Sequence, residues 1–282
     1  MKTLRACIIG HPVAHSRSPL IHNHWLSTYG IAGEYVREDI SPAEIEAFLQ
    51  AFPQSGYIGG NVTVPHKEIA FALVAERDPV AAALGAVNML WHEGGKLFGA
   101  NTDVYGFLAQ LDESAPWWLE RTKTALVLGA GGSARAAIHG LLERAVETVL
   151  VANRTPARAE QLAAHFQKRI VPIAIGDLPS RLADADLLVN TTTLGMRGQP
   201  PLEVDLTALK QGATVYDLVY APLETPLLAQ ARARGHPVVD GLGMLLHQAV
   251  PAFERWFGVR PSVTPELRAL VVADLKREGL AP

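Results

Sequence analysis

A single cysteine, Cys7, stands in the whole 282-residue chain. It lies in an apolar stretch at residues 6–9, so no disulfide framework can form within the chain, and a reducing compartment, the cytoplasm, is expected. An excess of one charge is also missing. Twenty-five Lys and Arg against 28 Asp and Glu give a net charge of −3, with no basic cluster. That balance excludes no small molecule but offers nucleic acid nothing to grip. Long apolar runs are absent. No stretch approaches bilayer length, and the first apolar run is cut by Gly10 and Pro12 before it could serve as a signal peptide. Low-complexity segments and short repeats are missing too. His11, His15, His22 and His24 crowd one region without an acidic or cysteine ligand. His22 and His24 are two apart in a helical pattern and face different ways, so no metal is expected. What remains is 49% hydrophobic and 19% charged, enough for one large or two ordinary domains.

Apolar, β-rich runs recur at residues 5–9, 34–38, 57–63, 86–91, 125–128, 148–152, 170–173, 187–190 and 214–217. Helical spacing fills most of the gaps, as at 42–52 and 134–144. Such alternation predicts an α/β fold of mainly parallel sheets covered by helices. A polar break at 112–124, carrying Pro116 and the pair Trp117-Trp118, separates two regions. The tryptophans are expected to cover a domain junction. Residues 264–279 read as a capped helix with Thr264 as N-cap, Pro265 first and Gly279 as the stop. Its buried stripe would be Leu267, Leu270, Val271 and Leu275.

The run Asn61-Val62-Thr63-Val64-Pro65-His66-Lys67-Glu68 carries the most chemistry. An apolar strand pattern ends there and Pro65, favoured at a first helical position, turns the chain. Lys67 is thereby held at a strand–helix junction beside Asn61 and Thr63. A lysine so fixed can exchange a proton with a bound hydroxyl or carbonyl. The plainer alternative is a solvated lysine at a helix start.

The second region opens with Ala125–Leu128 running into Gly129-Ala130-Gly131-Gly132-Ser133-Ala134 and then a helical pattern. Strand, glycine turn and helix N-terminus together suit a dinucleotide pyrophosphate. The end of the next strand selects the cofactor. An NAD site calls for an acidic residue there, whereas this chain has Asn153-Arg154-Thr155-Pro156-Ala157-Arg158. Thr155 and Pro156 read as N-cap and first helical residue, and two guanidinium groups flank that helix start. The pattern predicts NADP, whose 2′-phosphate needs cations.

Taken in order, these segments resemble the shikimate dehydrogenase family from end to end. The matching runs are Gly10–Pro19 (GHPVAHSRSP), Asn61–Lys67, Gly85-Ala86-Val87-Asn88 and Asn101-Thr102-Asp103. The match continues through the glycine loop, Asn153–Arg158, Asn190-Thr191-Thr192, Tyr216-Asp217-Leu218-Val219-Tyr220 and Asp240-Gly241-Leu242-Gly243-Met244. The resemblance implies a substrate domain at residues 1–103 and a Rossmann-type NADP domain at 104–240. Helices in 241–282 would return to the first domain, with the active site in the cleft between the two. It implies reversible NADP-dependent reduction of 3-dehydroshikimate to shikimate in the route to chorismate and the aromatic amino acids. Lys67 and Asp103 would form the catalytic pair. Ser16 and Ser18, two residues apart before Pro19, would hold the substrate carboxylate with Tyr220. Capping of a helix by Ser18 alone is the simpler reading of that serine. Thr63, Asn88 and Gln248 would bond the ring hydroxyls, and Leu218 and Gly241 would join Gly129, Ala130, Gly131, Gly132, Ser133, Asn153, Arg154, Thr155 and Arg158 around the cofactor. For Asp103 a helix cap before 104–111 is the competing reading.

Two positions depart from the family pattern. Met89 stands where a threonine is usual, which would remove a hydroxyl beside the substrate, and Thr193 replaces a common proline. The rivals are a quinate or mixed quinate/shikimate dehydrogenase of the same family and a catalytically silent NADP-binding sensor. Ser18, where quinate-preferring members tend to carry threonine, and the two arginines favour shikimate and NADP. Retention of Lys67 and Asp103 disfavours the sensor. A homodimer is left open as the partner.

Overall fold

Short runs rich in Val, Ile, Leu and Ala, such as 125–128, 149–152 and 187–189, form the buried strands of this protein. The computed structural model describes residues 3–166 and 169–281. They form two compact units, one of residues 3–103 with 248–271, the other of 104–247 with 272–281.

The first unit contains β1 (Leu4–Gly10), α1 (Ser18–Thr28), β2 (Gly33–Asp39), α2 (Ile45–Ala51), β3 (Gly59–Val62), α3 (Lys67–Leu73), β4 (Glu76–Arg77), α4 (Pro79–Leu84), β5 (Met89–Glu93) and β6 (Lys96–Ala100). Their order across the sheet is β2-β1-β3-β5-β6-β4. Strands β2, β1 and β3 run parallel, while β5 is antiparallel to both β3 and β6. The sheet is therefore mixed where parallel pairing dominates the expectation. The cause is the two-residue turn Gly94-Gly95, with φ of 56° and 79°, which joins β5 to β6 as a hairpin. Positive φ at both central residues is what such a turn requires, and glycine meets it without strain. One face of this sheet packs Cys7, Ile9, Val62, Val87 and Leu90 against residues of α2, α3 and α4. The other packs Ala6, Ile8, Tyr35 and Met89 against Ala252 and Trp256. Met89 is thus a buried core residue packed with this cluster.

The chain continues through α5 (Asp103–Ser114), α6 (Trp118–Arg121), β7 (Thr124–Leu128), α7 (Gly132–Glu143), β8 (Thr148–Ala152), α8 (Pro156–Phe166), β9 (Ile170–Ile173), α9 (Leu178–Arg181), β10 (Leu187–Asn190), β11 (Thr214–Asp217), α10 (Pro226–Ala233), β12 (Val238–Val239), α11 (Gly241–Phe257) and α12 (Pro265–Arg277). The second sheet has the order β12-β11-β10-β7-β8-β9 and is parallel throughout. Strand order reverses between β7 and β10, the doubly wound arrangement whose switch point is the usual place for a dinucleotide. Its edge strand β9 carries Pro172 in mid-strand. Trp118 is buried and donates its indole N–H to Asp112 at 2.7 Å, while Trp117 is exposed. In α12, Thr264 accepts the Leu267 N–H at 3.3 Å and Gly279 (φ 70°) follows the last turn. Leu267, Val271 and Leu275 are fully buried, but Leu270 only half so.

Candidate active site

In the first unit, the C-terminal ends of β1 and β3, the start of β5 and the end of β6 meet around Lys67. The turn that delivers this lysine differs from the sequence expectation. Pro65 is not the first helical residue. The cis peptide Val64–Pro65 lies inside a four-residue turn closed by His66 N–H donating to Thr63 O at 2.9 Å, and α3 begins at Lys67. A cis proline at the third position defines that turn class. His66 is fully buried, and its Nε2–H donates to the Ile40 carbonyl at 2.6 Å, tying the helix start to the segment after β2.

Lys67 Nζ donates to Asp103 Oδ2 at 2.5 Å, and the two side chains are 26% and 14% exposed. The other carboxylate oxygen, Oδ1, accepts Asn88 Nδ2 at 2.8 Å. Asn88 also donates to Thr102 Oγ1 at 3.1 Å, while its own Oδ1 accepts Thr102 N–H at 2.8 Å. Thr102 Oγ1 in turn reaches Gln248 Oε1 at 3.4 Å. Asp103 is the first residue of α5, yet its carboxylate does not cap that helix. Asn101 does the local work, accepting the Asp103 N–H at 2.9 Å and donating to Ala86 O at 2.9 Å. The capping reading of Asp103 is corrected accordingly: both carboxylate oxygens are directed to Lys67 and Asn88. Such an arrangement fixes an ammonium and a carboxylate at one place with few alternative rotamers.

A second polar layer lies beneath. Tyr35 donates its hydroxyl to Asn61 Oδ1 at 2.6 Å, and Asn61 Nδ2 donates to the Asn88 carbonyl at 3.1 Å. Burial pushes the Tyr35 phenol well above its ordinary range, so it acts as a neutral donor. His22 stacks on Tyr35 with ring centroids 4.1 Å apart. It is fully buried with neither ring nitrogen hydrogen-bonded, and burial lowers its pKa to about 3.

The serines also differ from expectation. Residues 13–16 form a turn, closed by Ser16 N–H donating to Val13 O at 3.0 Å, and α1 opens at Ser18 without the side-chain cap expected from it. Ser16 supplies that bond: its Oγ accepts the Ser18 N–H at 3.3 Å, which brings the two serines together. Ser16 is half-buried and Ser18 buried. Thr63, half-buried, follows β3 and donates its N–H to Ile9 O at 2.9 Å. Ser16, Ser18, Thr63, Lys67, Asn88, Asp103 and Gln248 thus all belong to the first unit. Tyr220 lies just beyond β11 in the second. The sequence reading gave no role to Asn101, Thr102 or Tyr35. For Asn101 a signal was present, an Asn two residues before a helix start.

In the second unit β7 leads through Gly129, Ala130 and Gly131 into α7. Gly129 has φ 108°, and a Cβ there would sit 2.7 Å from Thr191 Oγ1. Thr191 N–H and Oγ1 both donate to Leu128 O, at 2.9 and 2.7 Å, which closes the switch point between β7 and β10. Glycine is required by both the backbone angle and the close approach. At Gly131 and Gly132 a Cβ would meet nothing within 4 Å, so backbone there faces open space at the α7 N-terminus. The first-turn amides of α7, including that of Ser133, have no carbonyl partners within the helix. Arg154, Thr155 and Arg158 are exposed at the β8–α8 junction, where Asn153 Nδ2 donates to Thr155 O at 2.9 Å. No carboxylate lies between Ala152 and Pro156. At the start of α11, a Cβ on Gly241 would lie 2.2 Å from Leu218 O, so these two are packed backbone to backbone. Thr193, exposed, lies in the loop after β10. Among the described residues no group of three metal-ligating side chains occurs, and no helix is long and apolar enough to cross a membrane.

Comparison with known proteins agrees with this architecture. Residues 8–90 match the family description "Shikimate dehydrogenase substrate binding domain", residues 118–195 "Shikimate / quinate 5-dehydrogenase", and residues 241–270 "Shikimate 5'-dehydrogenase C-terminal domain". The chain is 60% identical over 275 residues to the shikimate dehydrogenase (NADP(+)) of Azorhizobium caulinodans, covering 98% of each. It is 59% identical to that of Methylobacterium radiotolerans, covering 97% of this chain and 98% of the relative. Among solved structures, shikimate 5-dehydrogenase from Thermus thermophilus in complex with NADP(H) and shikimate superposes with a TM-score of 0.84. That pair shares 37% identity over 95% of this chain and 98% of the other. Quinate dehydrogenase from Corynebacterium glutamicum in complex with NAD gives 0.88 at 32% identity, over 96% and 99%. With a half-buried Lys–Asp pair in one unit, a glycine-lined switch point in the other, and relatives matched along almost their whole length, the chain belongs to the shikimate dehydrogenase family.

Proposed function

We propose that this protein catalyses the reversible, NADP-dependent interconversion of 3-dehydroshikimate and shikimate in the cytoplasm. The observation that carries the reading is the Lys67–Asp103–Asn88 constellation, joined to an arginine-flanked strand end in a dinucleotide fold. The cofactor fits the residues present. Gly129, Ala130, Gly131, Gly132 and Ser133 would receive the pyrophosphate, and Asn153, Arg154, Thr155 and Arg158 the 2′-phosphate, with Leu218 and Gly241 nearby in sequence motif. When bound, NADPH supplies the hydride for the ring ketone.

In this reading Ser16 and Ser18 hold the substrate carboxylate, aided by Tyr220. Thr63, Asn88 and Gln248 bond ring hydroxyls, rejecting analogues that would leave these groups unpaired. Lys67 delivers or relays the proton to the oxygen that develops negative charge. Asp103 holds Nζ in position, and Asn88 fixes the carboxylate from its other side. The test is a spectrophotometric assay with shikimate and quinate, each with NADP and NAD. Fastest reduction of NADP by shikimate is expected; faster oxidation of quinate with NAD would replace this reading with a quinate dehydrogenase. Tight NADPH binding without turnover of either acid would leave a sensor.

A further inference from the structure

The segment between β1 and α1, residues 11–17, carries Ser16 of the proposed substrate site outside any helix or strand, and its shape is imposed from neighbouring strands. From the β3 side, His11 N–H donates to Val64 O at 3.2 Å. From the β2 side, Ile40 N–H donates to Gly10 O at 3.1 Å, and Asp39 Oδ1 meets His11 Nδ1 at 2.7 Å. Within it, Ser16 N–H donates to Val13 O at 3.0 Å. The last attachment is made by Arg37, an exposed residue on β2. Its Nε and Nη2 both donate to the Ser16 carbonyl, at 3.1 and 2.5 Å.

This forked contact is unusual in its target. A guanidinium on an exposed strand position is free to sample solvent, and holding it on one neutral carbonyl costs side-chain entropy. Here it clamps the residue whose hydroxyl takes the Ser18 N–H. A carbonyl held by two donors fixes the peptide plane after Ser16, the Ser16 N–H bond to Val13 O fixes the plane before it, and the two planes together set the direction of the Ser16 Cα–Cβ bond. The Ser16 hydroxyl is then located from both ends.

We propose that Arg37 is a positioning residue for substrate carboxylate recognition: by clamping the Ser16 carbonyl it sets the Ser16 hydroxyl where a carboxylate is received. The proposal rests on the reading of Ser16 and Ser18 as the carboxylate holders. Arg37 does not act on the reacting atoms, so its loss changes substrate binding and leaves the chemical step alone.

The experiment is a double-mutant cycle in steady-state kinetics with the full chain, using Arg37→Met, Arg37→Gln, Arg37→Lys, Ser16→Ala and the Arg37→Met/Ser16→Ala pair. Loss of charge-assisted hydrogen bonds that position a binding group is expected to raise the KM for shikimate about five- to twentyfold in Arg37→Met and Arg37→Gln. The kcat and the KM for NADP stay within a factor of two. In the Ser16→Ala background, Arg37→Met adds nothing, since the hydroxyl it would place is gone. Lysine, with a single point of attachment, restores less than half of the effect.

Three results overturn the proposal. The first is an unchanged KM for shikimate in both neutral Arg37 variants while Ser16→Ala raises it. The second is full additivity in the cycle, which would make Arg37 act independently of Ser16. The third is complete rescue by lysine, which would assign the effect to net charge. If Ser16→Ala itself leaves the KM unchanged, the reading of the serines fails and this proposal falls with it. A variant that melts early is replaced by the other neutral one, so folding and positioning are separated.

Discussion

The two sheets of this protein solve the problem of a core differently. In the second, every residue of β7 from Ala125 to Leu128 is apolar and nearly inaccessible, Asn190 and Asp217 hydrogen-bond each other at strand ends, and the buried Tyr216 hydroxyl of β11 joins no hydrogen bond among the described residues. In the first, polar groups lie within the core itself: Asn61 on β3, Tyr35 on β2 and His22 on α1, all buried. A fully parallel sheet covered on both faces favours unbroken apolar strands. The mixed sheet accommodates a chain of buried hydrogen bonds running from Tyr35 to the Asn88 carbonyl, one residue's backbone away from the group that orients Asp103. The difference teaches that one unit is built to present backbone to a ligand, the other to hold side chains.

That contrast can be broken at its strongest point. Replacing Lys67 with Ala removes the proposed proton carrier and should lower kcat by about 10²–10⁴-fold, the range of a general acid–base group. Turnover within a factor of two of the unmutated protein would remove Lys67 from the mechanism. Binding of NADP to the second unit should be untouched, which fluorescence titration measures.

A smaller effect separates the two cores by pH. His22 titrates near 6.5 in an unfolded chain but at about 3 in the folded one. Between those values the unfolded chain holds a proton that the folded chain does not. The stability that follows is complete above pH 6.5 and declines by about 1.4 kcal/mol per unit as pH falls towards 3. On going from pH 7 to pH 5, the unmutated protein should therefore lose about 2 kcal/mol more than His22→Phe does. Urea unfolding at the two pH values reads this directly, and identical losses in both proteins would show that His22 is not the group responsible.

The smallest effect tests the second unit. With Arg154 and Arg158 both changed to Ala, the KM for NADP should rise about tenfold, as charge-assisted contacts to a phosphate are lost at an exposed site. The KM for NAD should not move. A parallel rise for both cofactors would mean that the arginines serve the fold of the β8–α8 junction.

The same contrast decides what the amino-acid order revealed. Strands 148–152, 187–190 and 214–217 are read from apolar runs and appear with those limits, because burial on both faces leaves an unbroken signal, and the edge strand 170–173 appears with its expected limits although its two middle residues are exposed. In the first unit, β6 carries Gly99, whose missing Cβ makes room for Val87, and a glycine in mid-strand weakens the pattern. The short strand β4 is exposed and has no apolar pattern. Residues 86–91 read as one strand, although the hairpin that follows was announced by Gly94-Gly95. The serine pair, the lysine and the aspartate stand out through their motifs. Their supports do not, because Tyr35 and Asn61 are 26 positions apart and Thr102 and Gln248 are 146 apart. Only folding makes them neighbours.

Pro172 bears on how copies of this chain can meet. A strand on the rim of a sheet invites another to line up beside it, and β9 would otherwise extend an all-parallel array outward. With an imino acid in the middle of four residues, the rim lacks a donor where an added strand would look for one. Growth of fibrils or ribbons from this side is thereby discouraged, and any pairing of two protomers is steered to other faces.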